Sequence, residues 1–279
     1  MKGRKMIDFV KCMQCVYETA PLVQCITNFV TVNDCANIIL ASGGSPSMAH
    51  DIREVEEAVS NAQALVCNMG AVEDTEAMIL AGKRANRLGI PVILDPVAVG
   101  GTRLRRDSGS RLLQEVKFTV IRGNASEIRY LAGQQAKAGG VDAGVTDRVT
   151  EENLGDAVRM TGELAGKLGS VISVSGKLDI VSDGKKTAVF RNGCDTMARI
   201  TGSGCMLTSL IGAFCGAMPQ DRFSAVCTAA AVMGICGELA DIRRLKNGTG
   251  NSTFRNDLID AVFNLTEKQL TERVRCEVF

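Results

Sequence analysis

Tryptophan is absent from these 279 residues, aromatic side chains make up 4%, and there is one histidine, His50. With no stacking platform and a formal net charge of only +1, the composition excludes a nucleic-acid binder and gives no electrostatic reason to sit on an anionic membrane. A single histidine, read as a surface or loop residue, together with the lack of any G-x-S-x-G, excludes serine-hydrolase chemistry. No run reaches the ~18 uninterrupted apolar residues of a membrane span, and Asp8 and Lys11 interrupt what would be the apolar region of a signal peptide. Two nucleotide signatures are missing as well. Gly184-Lys185-Lys186-Thr187 lacks the earlier glycine of a Walker A motif, and Gly202-Ser203-Gly204 lacks the third glycine of the dinucleotide fingerprint.

What is plentiful is small and apolar. The hydrophobic fraction of 46% is ample for a sizeable core, and 11 cysteines, an odd number, lie mostly inside apolar runs. That is how free buried thiols look, and it predicts a reducing, cytoplasmic compartment. The single C-x-x-C, Cys12 to Cys15, has no second pair and no nearby histidine, so it reads as successive turns of an N-terminal helix and not as a zinc site.

Apolar periodicity predicts a helix within residues 1–20, a strand from 22 leading into a loop at Asn28, a helix over 32–41 and an extended piece at 45–49. From there helices (52–61, 74–88, 109–116, 125–132, 151–168) alternate with short strands (64–68, 91–95, 118–122, 171–175). A glycine-rich connection covers 133–147, and strands at 179–182 and 187–190 read as a hairpin. Everything from Cys205 onward reads as helix, interrupted at Pro219 and at 246–252. Short apolar strands alternating with helices predict an α/β fold with a mostly parallel central sheet and helices on both faces. No composition shift marks a linker, so residues 1–279 read as one domain.

In a parallel sheet the ligand site lies beyond the carboxyl ends of the strands. There the sequence places Asn28, Asn68 with Gly70, Asp95, Arg122 with Asn124, and Ser175 with Gly176. Asp95 stands at the rim, as a metal ligand or as a loop anchor. Glu127 follows Asn124 by three residues, so it suits a capping box as well as a second acidic site, one oxygen for each. An Asp and a Glu at one phosphate site suit Mg²⁺, which keeps most of its waters. Arg122, costly to bury alone, is suited to phosphate oxygens or to a neighbouring carboxylate. The turn Thr201-Gly202-Ser203-Gly204-Cys205 feeds an apolar helix. Its glycines let an anionic group approach bare amides at the positive end of the helix dipole.

Taken together, that turn, Asp95-Pro96-Val97, Asn124-Ala125-Ser126-Glu127-Ile128, Ile26-Thr27-Asn28 and Gly43-Gly44-Ser45-Pro46-Ser47-Met48 resemble the hydroxyethylthiazole kinases of thiamine biosynthesis, over about residues 21–270. Cysteine at the end of the glycine turn, where the wider ribokinase-like group has aspartate, is the most specific point of likeness. The resemblance implies a ribokinase-like fold, ATP and Mg²⁺, phosphorylation of the hydroxyl of 4-methyl-5-(2-hydroxyethyl)thiazole, and a homotrimer with pockets between subunits. It implies that Asn28, Met48, Gly70 and Gly202 line the thiazole pocket and that Arg122 and Ser175 contact ATP. It further implies that Asp95 and Glu127 organise Mg²⁺, that Gly202, Ser203 and Gly204 form an anion hole, and that Cys205 sits beside the reacting hydroxyl. Ser175 where Thr is expected, Lys177 where an acid is usual, and Gly101 with the basic Arg103-Leu104-Arg105-Arg106 depart from the family pattern on the nucleotide side. The helix dipole should lower the Cys205 thiol and nearby phosphates raise it, so Cys205 is expected to position the hydroxyl and accept its proton late. The other readings are a kinase for another small alcohol such as a hydroxymethylpyrimidine, a ribokinase-like dehydratase repairing hydrated nicotinamide nucleotides, and a nucleotide sensor without catalysis.

Overall fold

The computed structural model describes residues 7–133 and 149–279, so residues 1–6 and most of the glycine-rich connection predicted at 133–147 lie outside the described residues. The chain runs α1 (Phe9–Thr19), β1 (Leu22–Ile26), α2 (Val32–Ala41), β2 (Ser45–Ser47), α3 (Val55–Ser60), β3 (Ala64–Asn68), α4 (Thr75–Leu88) and β4 (Val92–Asp95). It continues with α5 (Arg103–Glu115), β5 (Val120–Asn124), α6 (Ala125–Leu131), α7 (Leu154–Leu168), β6 (Val171–Ser175), β7 (Asp179–Ser182) and β8 (Thr187–Phe190). Four helices follow, α8 (Ser203–Ala217), α9 (Arg222–Asn247), α10 (Asn251–Phe263) and α11 (Glu267–Arg273), before a last strand, β9 (Cys276–Val278).

Among the described residues all nine strands form one sheet in the order β2-β1-β3-β4-β5-β6-β7-β8-β9. Pairing is parallel from β2 to β6 and antiparallel from β6 to β9. Alternation along the strands divides the core. Val23, Cys25, Val66, Ile93 and Val120 face α1, α2 and α8–α10. Ile26, Leu65, Cys67, Leu94 and Ile121 face α3–α7. Both faces of the parallel strands are therefore covered, as their continuous apolar sequences require. Residues 206–215 of α8 are all buried, which fixes its first turn at the carboxyl ends of β4 and β5. Among the described residues α9 is the one helix long and apolar enough to cross a membrane, and 83% of its apolar stretch is buried within the fold. All eleven cysteines are free thiols.

Several predicted bounds move. The helix expected at 109–116 begins at Arg103, capped by the Thr102 hydroxyl accepting from the Arg105 amide (3.3 Å), because capping and not apolar periodicity starts it. The strand expected at 118–122 runs Val120–Asn124, since its register is set by pairing Val120 with Ile93 and Val171. The helix expected at 52–61 is the shorter Val55–Ser60. The helical reading from Cys205 onward misses β9, which pairs antiparallel with β8. His50 is a surface residue, 3.5 Å from Asp74 with its side chain 66% exposed.

Candidate active site

Asp95 closes β4 with 1% of its surface exposed. Its Oδ2 accepts from the Thr208 hydroxyl (2.7 Å), Asn68 Nδ2 (3.3 Å) and Arg122 Nη1 (3.4 Å), while its buried Oδ1 has no partner among the described residues. Burial pushes the carboxyl up, and Arg122 and Thr208 pull it back. Thr208 stands four residues after Gly204, one turn along α8. The helix thus brings its hydroxyl to the strand end that Asp95 occupies.

Arg122 sits on β5, 8% exposed. Beyond Asp95 it donates through Nη2 to the Ser175 hydroxyl at the end of β6. The guanidinium also lies against the first turn of α8: a Cβ on Gly204 would overlap its Nη1 and come within 3.1 Å of Cζ. Gly202, the N-cap of α8, offers no side-chain acceptor and has φ +84°. A Cβ there would meet Thr31 Cγ2 at 2.6 Å, so the turn needs glycine for both backbone and space. The amides of Ser203, Gly204 and Cys205 have no intrahelical acceptor, and residues 202–205 are partly exposed. A fixed cation, a helix N-terminus and open amides converge there, an arrangement that favours an anion.

On the other side of Asp95, Asn68 Oδ1 accepts from the Gly70 amide (2.8 Å) and from Asn28 Nδ2 (3.3 Å). Asn28 Nδ2 also points at Cys205 Sγ, 3.6 Å away, and its Oδ1 holds the Thr31 amide and hydroxyl, each at 3.1 Å. Gly70 is wedged here, a Cβ falling 2.7 Å from Asn28 Nδ2. One hydrogen-bonded path therefore runs along the rim from Thr31 through Asn28, Asn68, Asp95 and Arg122 to Ser175. Met48 follows β2, three strands from β4 and so about 14 Å along the rim, half-buried against the core on the α8 side.

Glu127 makes the capping box, accepting from the Asn124 amide at 2.7 Å. The division of oxygens expected from the sequence goes differently: the second oxygen accepts from the Ala98 amide (2.8 Å). That bond holds the loop after Asp95, where Ala98 has the left-handed φ of +54°. Burial and the Asp95 charge push the Glu127 carboxyl up to about 7. For Cys205 the expected lowering by the helix does not prevail, since burial and the Asp95 charge raise the thiol above its ordinary value. It is a neutral thiol at neutral pH. Sequence reasoning missed Thr31, Thr208 and Asp179. Thr208 was findable from its four-residue spacing to Gly204. Asp179, which opens β7, accepts from the Gly176 amide (2.8 Å) and is pushed up to about 6 by burial.

Sheet order and site together define a ribokinase-like kinase. A ribokinase-like superfamily protein from Enterococcus faecalis superposes over 93% of this chain and 90% of its own, with a TM-score of 0.62 at 11% identity, a likeness of fold alone. A structure of the hydroxyethylthiazole kinase protein from Pyrococcus horikoshii covers 98% of this chain and all of its own, with a TM-score of 0.85 and 31% identity. In sequence, the hydroxyethylthiazole kinase of Clostridium acetobutylicum is 48% identical over 263 residues, 94% of this chain and 96% of that one. The model of the hydroxyethylthiazole kinase family matches residues 13–268. The chain belongs to the hydroxyethylthiazole kinase family, and neither the pyrimidine-kinase nor the dehydratase reading is favoured.

Proposed function

We propose that the chain, acting as one domain, transfers the γ-phosphoryl of ATP to the hydroxyl of 4-methyl-5-(2-hydroxyethyl)thiazole across the first turn of α8. The observation that carries this is the meeting of uncapped amides at Ser203–Cys205 with the Arg122 guanidinium, itself bonded to Asp95 and Ser175. Phosphoryl transfer has a loose transition state, so fixed positioning and charge neutralisation supply most of the rate. Arg122, steadied by Ser175, would hold the phosphate oxygens, and the amides of Gly202, Ser203 and Gly204 would receive the moving group. Asn28, Met48, Gly70 and Gly202 would line the thiazole side, with Cys205 beside the acceptor hydroxyl as a neutral group that orients it. A neutral thiol cannot take the proton early, so that proton leaves late in the transfer.

Mg²⁺ fits the residues present. Asp95 Oδ1 is a buried carboxylate oxygen with no partner among the described residues, and Glu127, its carboxyl raised by burial and then by the Asp95 charge, is a second acidic group within electrostatic reach. One or two carboxylates plus substrate phosphates are what this ion takes. Asp95 would hold the ion, and the chemistry it would supply there is neutralisation of phosphate charge. Glu127, with a backbone N–H already on each oxygen, would contribute chiefly its charge and the fixed Ala98 loop.

Phe29 (83% exposed) and Val30 (58% exposed) stand beside Asn28 and Thr31. Apolar side chains projecting next to the acceptor side support a homotrimer whose pockets are shared between subunits, and the free thiols support a cytoplasmic location. ADP release from ATP with the thiazole alcohol, set against a hydroxymethylpyrimidine and hydrated NADH, tests the reaction. Turnover with the thiazole alcohol alone is the expected result, and equal turnover with the pyrimidine would overturn it. Sedimentation at micromolar concentration tests the trimer.

A further inference from the structure

The basic stretch that opens α5 has no part in the phosphate site, yet one of its side chains reaches the rim. The rungs between β3 and β4 end with the Met69 amide donating to the Asp95 carbonyl (2.9 Å). One step further the Met69 and Val97 carbonyls are left side by side, past the last paired residues Asn68 and Asp95. Pro96 has turned the chain, and carbonyls partly withdrawn from water need donors. Arg105 supplies both: its Nη1 carries two N–H groups, one to the Met69 carbonyl (2.5 Å) and one to the Val97 carbonyl (3.0 Å). The guanidinium takes the place of a missing rung and ties the two strand exits together.

Those two exits have different duties in the reading above, on which this inference rests. Met69 leads into Gly70, on the acceptor side. Val97 leads into Ala98, whose amide is bonded to Glu127, and it follows Asp95 by two residues. Among the described residues the neighbouring Arg106 bonds the Gly100 carbonyl (3.1 Å) and neither the Met69 nor the Val97 carbonyl. We propose that Arg105 is a positioning residue that sets the acceptor wall at Gly70 against the Asp95–Ala98 loop, so that the hydroxyl and the metal-binding carboxylate keep one spacing.

The test has two readouts. Hydrogen exchange on the full chain follows the Gly70 amide, bonded to Asn68 Oδ1, and the Ala98 amide, bonded to Glu127 Oε1. Arg105→Ala should speed both by about tenfold or more while strand amides inside β3 stay slow, because the loss of a charged donor to two carbonyls is local. Arg106→Ala should leave Gly70 unchanged. In kinetics, Arg105→Ala should lower kcat by up to about 100-fold, the cost of an ångström-scale misplacement. It should also raise KM for the thiazole alcohol while leaving KM for ATP as it was. Arg105→Lys, which can reach one carbonyl, should fall between, and it carries the same comparison if the alanine variant does not fold. Exchange that quickens at only one of the two amides, or across the whole sheet, would overturn the tie, as would unchanged kinetics in both variants. If the wild-type chain does not phosphorylate the thiazole alcohol, the functional reading falls, and the paired exchange of Gly70 and Ala98 still decides the tie.

Discussion

The parallel strands and the antiparallel edge belong to one sheet and treat their polar groups in opposite ways. On the hairpin, Ser182 Oγ donates to the Lys186 carbonyl (3.0 Å) and accepts from the Thr187 hydroxyl (2.9 Å), and Asp183 Oδ1 holds the amides of Lys185 and Lys186. Along β1, β4, β5 and β6 and just past β1, buried atoms of Gln24, Thr27, Asp95, Arg122 and Ser173 have no partner among the described residues. Each such atom costs about 1–3 kcal/mol. The antiparallel edge closes its own bonds and holds the sheet together. The parallel half leaves bonds open at Asp95 and Arg122, where phosphate and cation would complete them.

The sharpest way to break this contrast is to remove the open carboxylate. Asp95→Ala should lower kcat by about 10³-fold, the scale of losing a charge-stabilising group at a transition state. Cys205→Ala should cost well under the ~10² of a working general base, on the proposed reading in which its thiol orients the hydroxyl and does not take the proton early. Steady-state ADP release measures both. The reverse order would move the chemistry onto Cys205 and make Asp95 a packing residue.

Asp179 lies where the sheet changes direction and shows which half governs it. Its carboxyl is pushed from 3.8 to about 6 by burial, with the Gly176 amide and Arg122 opposing. A raised folded-state value means that the folded chain binds the proton more tightly than the unfolded one. Stability is then full below about pH 4 and declines as pH rises through 6, by about 2–3 kcal/mol in all. Asp179→Asn keeps the acceptor for Gly176 and removes the titration. Urea denaturation should give the two proteins similar stability near pH 4, with the variant the more stable by that amount at pH 7.5. A variant less stable at pH 7.5 would show the ionised carboxylate to be stabilised by Arg122 beyond its burial cost.

What could be read from sequence follows the range of the interaction that fixes each feature. Asn124 with Glu127, the Gly202–Gly204 turn and Asp95 after its strand are local patterns, and the cap and the rim position stand as read. Asn28, Asn68, Asp95, Arg122 and Ser175 come together because strand ends in a parallel sheet share one edge, and Met48, three strands away, does not join them. The sequence could not say that Glu127's second oxygen goes to Ala98, because that bond spans 29 residues and depends on how the Asp95 loop turns. The start of α5 was missed since Arg103–Ser108 has no apolar period and is fixed by the Thr102 cap. β9 is three residues long and exists through pairing with β8, more than 80 residues earlier in the chain. Cys205 shows the electrostatic limit: the dipole of α8 is local and legible, but the burial and the Asp95 charge that outweigh it are tertiary.

Two glycines, one in each half, sharpen the contrast to single methyl groups. Gly184, in the hairpin turn, has φ +82°, and a Cβ would lie 2.9 Å from the Gly166 backbone nitrogen and 3.0 Å from its Cα. Backbone cannot swing away, so Gly184→Ala should cost about 2–3 kcal/mol of stability while kcat and both KM values hold. Gly204 has an ordinary helical position, where alanine gains up to about 1 kcal/mol in helix propensity over glycine. The atoms nearest its added methyl are the end of the Arg122 side chain, which can move, but only by leaving Ser175 and Asp95. Gly204→Ala should therefore melt lower as well, because the displaced guanidinium leaves a buried ion pair with Asp95, but unlike Gly184→Ala it should also raise KM for ATP by about tenfold, the worth of one charge-assisted contact at 1.4 kcal/mol. Calorimetry and initial rates on the same two preparations separate the outcomes. Were Gly204→Ala to keep its ATP affinity, the guanidinium would not be held against α8 for the sake of phosphate, and the open bonds of the parallel half would need another occupant.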